Sequence, residues 1–196
     1  MKATTDLFSA LLSQDEMIAD ETFDCILFST DTQMNHKILD MMKHFKNNHN
    51  MLCQCLQLIS LRCSQNEPKR FSSRPQTKNE QTTLIEGIVD CLNNTRPSVR
   101  LEALIALEDL LLYPKESLIE DLKSKDLPFV FDDKALLSLV LERIEACFHD
   151  PNKVVAKTAD KCLASINSNV LNDVVAQRAK ECFASINSNV LNHVFS

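Results

Sequence analysis

The sequence predicts an all-α chain, and three observations carry that expectation. Apolar residues recur at helical spacing along most of its 196 residues. Glycine is almost absent: Gly87 is the single one, where average usage of roughly 7% would give about fourteen. The corners between apolar stripes are written in Asn, Asp, Ser and Pro instead. Tight hairpins, phosphate-cradling loops and dinucleotide-binding turns need glycine where φ is positive or a ligand approaches the backbone. Each of their signatures takes two glycines or more, so none can be written here.

Taken in order, residues 4–13 and 17–29 predict one or two short helices. Ile38, Leu39, Met41, Met42 and Phe45 form the next stripe and lead into the polar turn from Lys46 to Asn50. Met51, Leu52, Leu56, Ile59 and Leu61 then form its antiparallel partner. Residues 64–82 are polar, carry two prolines and have no period, so they predict a flexible loop. Leu84, Ile85, Ile88, Val89 and Leu92 mark a helix over 83–93, with Gly87 on its stripe. Glycine inside a helix costs about 1 kcal/mol relative to alanine, so close helix approach is the expected reason for it. Pro97 fits the first position of a following helix, whose stripe is Val99, Ala103, Leu104, Ala106, Leu107, Leu110 and Leu111. Pro114 lies just beyond that helix.

Residues 115–133 read as an ordered insertion, with a short helical piece and the apolar knot Leu127 to Phe131. Leu136, Leu137, Val140, Leu141, Ile144, Cys147 and Phe148 make a further stripe. Asp150 is the expected N-cap and Pro151 the expected first residue of the next helix, whose stripe is Val154, Val155, Ala159, Cys162, Leu163 and Ile166. The run from Cys162 to Asn172 then returns as Cys182 to Asn192, a 20-residue period with one difference in eleven. Identity this close exceeds what packing demands and points to a duplicated tail over 167–196, expected to fray.

The net charge of −6 gives no global attraction to nucleic acid or to an anionic membrane. Its distribution is uneven: residues 1–33 carry net −6, residues 62–78 net +4. Both read as solvated ends and loops. No apolar run reaches the ~18 residues of a membrane span, and the N-terminus lacks a secretory apolar region. The eight cysteines mostly fall on apolar stripes and read as buried, reduced thiols of an intracellular protein, cytoplasmic or nuclear.

Two segments carry a resemblance. The run from Arg96 through Pro97-Ser-Val-Arg-Leu-Glu-Ala-Leu-Ile-Ala-Leu to Leu110 resembles the second helix of a HEAT repeat. The run from Asp150 through Pro151-Asn-Lys-Val-Val to Ile166 is similar to the same element, with Val155 where the pattern has Arg. The likeness spans 83–166 well and 34–63 loosely. Armadillo repeats share much of it but bring a third helix and inter-helix glycines. The resemblance implies a short right-handed α-solenoid of three to four antiparallel helix pairs. Residues 1–63 would hold N-terminal helices with one loose pair, and 83–166 two repeats. The 54 residues from Pro97 to Pro151 exceed the ~40–47 period of such repeats, which the insertion at 115–133 explains. Each helix pair has a stripe it buries only by stacking on a neighbour.

No chemistry-bearing cluster stands out. Cys53 and Cys55, with Cys63, His44 and His49 nearby, lack zinc-knuckle spacing, and a helix points residues i and i+2 about 200° apart. No thiol has an adjacent base. The di-iron enzymes among HEAT-like proteins carry His-Glu dipeptides, and none occurs here. No catalytic residue, metal or cofactor is therefore expected. The expected role is a protein-binding scaffold, acting through its concave face or its turns. Tubulin-binding TOG domains, a branch of the same family, imply a second role at microtubules, centrosomes or cilia. Their first pair carries a Trp, which this chain lacks; their later turns carry Lys or Arg, which it has. The candidate partner-binding residues are Lys46 and His49, Arg96 and Arg100, Lys153 and Lys157, facing a protein with an acidic surface. Arg100 has a second reading, as an arginine paired with a neighbouring repeat's acid. Phe71, an aromatic in the polar loop, is a further candidate.

Overall fold

A computed structural model describes residues 2–29, 31, 33–64, 78–112 and 133–168. It is all-helical, with no strand among the described residues. Helices α1 (Lys2–Ser9) and α2 (Glu16–Leu27) flank a 3-10 turn, Ala10–Leu12. Then come α3 (Met34–His44), α4 (His49–Ser64), α5 (Lys78–Cys91), α6 (Pro97–Leu112) and α7 (Lys134–Ala146). A 3-10 turn, Cys147–His149, leads to α8, helical over 153–168.

Side chains rather than glycines start these helices. Asp15 accepts from Met17 N, Asn48 from Met51 N, and Asp133 from Ala135 N and Leu136 N. Each satisfies backbone donors that a helix N-terminus leaves open. No described residue has a positive φ, so no corner among them requires glycine. The expected cap of α8 is displaced by two residues. Asp150 accepts from Asn152 N, and Asn152 Oδ1 then accepts from Val154 N at 2.9 Å and Val155 N at 3.4 Å. An Asx turn at Asp150 hands the capping role to Asn152, because Asp150 is committed to an arginine described below.

Two successions of contacts organise the helices. α3 packs on α4 and α5 on α6. α3 also meets α5, and α5 meets α7. α4 packs along α6, and α6 holds α8 through Cys162 Sγ to Leu104 O, Ser165 Oγ to Glu108 and Lys161 to Glu108. α6 is therefore central: none of its residues from 99 to 111 is exposed. All seven of its expected stripe residues are buried. A helix that is apolar on most of its surface belongs between neighbours rather than at an edge.

Gly87 lies within α5, as its stripe position implies. A Cβ there would stand 2.7 Å from Leu39 Cδ2 of α3, so the missing side chain lets α3 and α5 approach.

Three expectations are corrected. α5 begins at Lys78, inside the segment read as loop, and ends at Cys91 rather than residue 93. Glu80 and Gln81 are buried on its inner face, so polar residues continue the stripe where apolar ones stop. Arg62, counted with the solvated basic segment, is 1% exposed. It extends the inner face of α4 three residues beyond Ile59. Cys25, read with the other cysteines as a buried thiol on or beside an apolar stripe, is exposed on α2. The loop residues 65–77, Pro114, the insertion up to residue 132 and the tail from residue 169 lie outside the described residues.

Candidate functional site at the helix-pair turns

The turns between α3 and α4, α5 and α6, and α7 and α8 lie next to one another. Arg100, in the first turns of α6, makes the main connection. Its Nε and Nη2 donate to Asp150 Oδ2 at 2.5 Å and Oδ1 at 2.8 Å, and its Nη1 donates to Asn94 O at 2.6 Å. One guanidinium thus ties the α5–α6 turn to the α7–α8 turn in a bidentate, charge-assisted geometry. The two side chains are 12% and 5% exposed. Hydrogen bonding to Arg100 holds the Asp150 carboxyl below the usual carboxylate range, and the same bonds push the Arg100 guanidinium up. Arg143 Nη1 of α7 adds a contact to Asn93 Oδ1 at 3.4 Å.

Of the six candidates at the turns, four are exposed: Lys46, Arg96, Lys153 and Lys157. They stand at three consecutive turns, with Lys157 one helical turn along α8. Arg100 serves the internal connection instead. His49 is half-buried at the start of α4, and its Nδ1 has no hydrogen-bond partner among the described residues. Phe71 lies outside the described residues.

A pocket of ≈470 Å³ opens between the first two turns. Leu39, Met42, Leu52, Gly87 and Cys91 form its apolar lining. Lys43 and Lys46 stand on the α3 side, Asp90 and Asn94 on the α5 side. Asn94 Oδ1 accepts from Arg96 N, which leaves the amide NH₂ as the donor end of that side chain. An apolar lining with a few polar groups at its rim, in this size range, is the composition of a binding cleft. Sequence periodicity assigns Leu39, Met42 and Leu52 to the core, so the pocket was not legible there. The signal that could have found it is Gly87, a small residue on a buried stripe with lysines at the neighbouring turn.

The thiols are chemically quiet. Burial pushes Cys55, Cys91 and Cys162 up to about 12, and raises Cys53 and Cys147 as well. Such groups carry almost no thiolate near neutrality. Among the described residues no group of three or more His, Cys, Asp or Glu is arranged to hold a metal ion. No described helix is long and apolar enough to cross a membrane.

Sequence reasoning also missed a buried polar network. Arg62 Nη1 donates to the carbonyls of Ile26, Leu27 and Ser29 at 2.7, 2.8 and 3.2 Å, capping the C-terminus of α2. Its Nε donates to Asn35 Oδ1 at 3.2 Å, and Asn35 Nδ2 donates to Glu80 Oε1 at 3.4 Å. His36 Nδ1 stands 4.0 Å from the same Glu80 oxygen. A cation at a helix C-terminus is favoured by the aligned carbonyl dipoles. Burial pushes the Arg62 guanidinium below its ordinary value, yet that value starts so high that the group stays charged. The network joins four helices and serves architecture. Compared with protein-family models and with curated proteins, the chain matches none.

Proposed function

We propose that the chain is a non-catalytic protein-interaction module, a short right-handed solenoid of the HEAT-repeat type that binds a partner along its turn edge. What supports the solenoid reading is the double succession of contacts, α3–α5–α7 and α4–α6–α8, with Arg100 standing as the arginine between repeats. What supports the binding edge is one observation. Lys46, Arg96 and Lys153 are exposed at three consecutive turns, and a pocket with an apolar lining opens between the first two. Such an edge suits a protein with an acidic surface, drawn in by charge and held by apolar contact. An intracellular setting goes with this reading, since the seven described cysteines are all free thiols.

The experiment is affinity capture with the wild-type chain and with Arg96→Glu/Lys153→Glu, two exposed positions whose reversal leaves the core intact. The expected outcome is a set of wild-type partners lost from the reversed chain. Capture that survives the reversal refutes the turn-edge reading. The basic turns also support a microtubule-associated or centrosomal role. Co-sedimentation with tubulin, lost on the same reversal, is its expected signature, and co-sedimentation unaffected by the reversal removes it.

A further inference from the structure

Two features on different parts of the described surface are complementary in charge and polarity. One is the pocket between α3 and α5. Its lining is Leu39, Met42, Leu52 and Cys91, and two exposed lysines, Lys43 and Lys46, stand on its α3 side. The other is the start of α2. That helix turns Thr22, Ile26 and Leu27 into the core, and its first turns project outward. Met17 is 66% exposed there and Ile18 44%. Around them stand Glu16, Asp20, Glu21 and Asp24, all exposed, in a segment of net −6. An acidic helix that shows two large apolar side chains to water is the complement of an apolar pocket edged with lysines.

From this complementarity we infer that the pocket receives the Met17–Ile18 end of α2 from a second copy of the chain. Burying Met17 in the apolar lining would supply the affinity. The carboxylates of the incoming α2 would meet Lys43 and Lys46 and set its direction, because Asp90 on the α5 side repels them. An unbranched methionine suits an irregular lining of leucine, methionine and cysteine side chains. The contact joins two different surfaces, so a pair of copies keeps one free pocket and one free α2, each open to a further copy. Association is therefore head-to-tail. The inference rests on the turn edge being a binding surface, and it names the first partner of that edge.

Sedimentation velocity of the full chain over a concentration series provides the test. The wild type is expected to show sedimentation coefficients that rise with concentration and fall back with added salt, as screened charge requires. Met17→Glu removes the apolar anchor, and Lys43→Glu/Lys46→Glu reverses the receiving charges; all three positions are exposed, so folding is retained. Each variant alone is expected to self-associate at least tenfold more weakly, the loss that follows from one buried apolar side chain or a like-charge contact. Mixing the two variants restores one productive contact per pair, pocket of the first with α2 of the second. The mixture is then expected to stop at a dimer. A wild type that stays monomeric at every concentration overturns the inference, as does a mixture that behaves like its separate components. Either result leaves the capture experiment with Arg96→Glu/Lys153→Glu free to succeed, so the two failures are distinguishable.

Discussion

Arg62 shows how much one side chain can do in a fold without glycine-built corners. It sits at the end of α4, is almost completely buried, and donates to the Leu27 carbonyl at the end of α2 while adding a second partner to the Ile26 carbonyl, which also accepts from Ser29 N. Replacing it by methionine keeps the length and the apolar stem but removes every donor. Orphaned buried acceptors cost about 1–3 kcal/mol each, and breaking a buried ionic arrangement about 3–5 kcal/mol. Arg62→Met is therefore expected to lose about 3 kcal/mol or more in urea denaturation. Arg62→Lys keeps the charge without the planar fork and is expected to fall between the two. A loss under 1 kcal/mol for Arg62→Met would remove the capping role. Composition hid this residue, since Arg62 counts as one more charge in a basic stretch. Position could have revealed it, because it lies on the same face as Leu58 and Ile59. Gly87 was legible for the converse reason: a glycine on a helical stripe has few uses other than close packing.

At the scale of elements, the helices were legible where apolar periodicity and a polar corner coincide. That is the case for α3, α4, α6 and α7, whose stripe residues are largely buried. The start of α5 was not legible, because its inner face is Glu80 and Gln81, and only the packed neighbours make a buried glutamate acceptable. The cap of α8 was read two residues early for a related reason. Asp150-Pro151 has the composition of a helix start, but Arg100 lies 50 residues away in sequence and claims the aspartate in space. Asn152 then supplies the cap, bonding two backbone donors at 2.9 and 3.4 Å. Asn152→Ala is expected to lower stability by about 1 kcal/mol. Asn152→Asp keeps the acceptor and adds favourable charge at the helix N-terminus, so it is expected to hold stability or raise it slightly. Thermal denaturation of the two variants checks both, and equal losses would assign the cap elsewhere.

For the whole molecule, the contacts that join α6 to α8 and to the turn before it combine apolar burial with polar links, of which Lys161–Glu108 is exposed on the lysine side and Arg100–Asp150 is the more buried ion pair. α6 is buried against α4 and α8, and that apolar contact does not depend on pH. The Arg100–Asp150 pair does. The carboxyl is held below its ordinary range in the folded chain by hydrogen bonds from Arg100, so the pair stabilises the fold above the unfolded carboxylate value, near 3.9. That contribution disappears as pH falls through the lower, folded value. Asp150→Asn cannot ionise and lacks the contribution at every pH. Near neutrality the variant is expected to be less stable than wild type by about 1.5–3 kcal/mol, the range for hydrogen bonds to a charged group. As pH falls from about 4 through the lower, folded value the two stability curves should converge, since the wild-type carboxyl is progressively neutralised over that range. Arg100→Met tests the same contact from its other end and should flatten the same acid limb. Melting curves across the acid range decide the matter. A difference between wild type and Asp150→Asn that stays constant down to low pH would mean that the ion pair does not set the joint between the second and third turns. The approach of the Arg96 turn to the Lys153 turn would then rest on the remaining contacts between α5 and α7 and on the Arg143–Asn93 hydrogen bond.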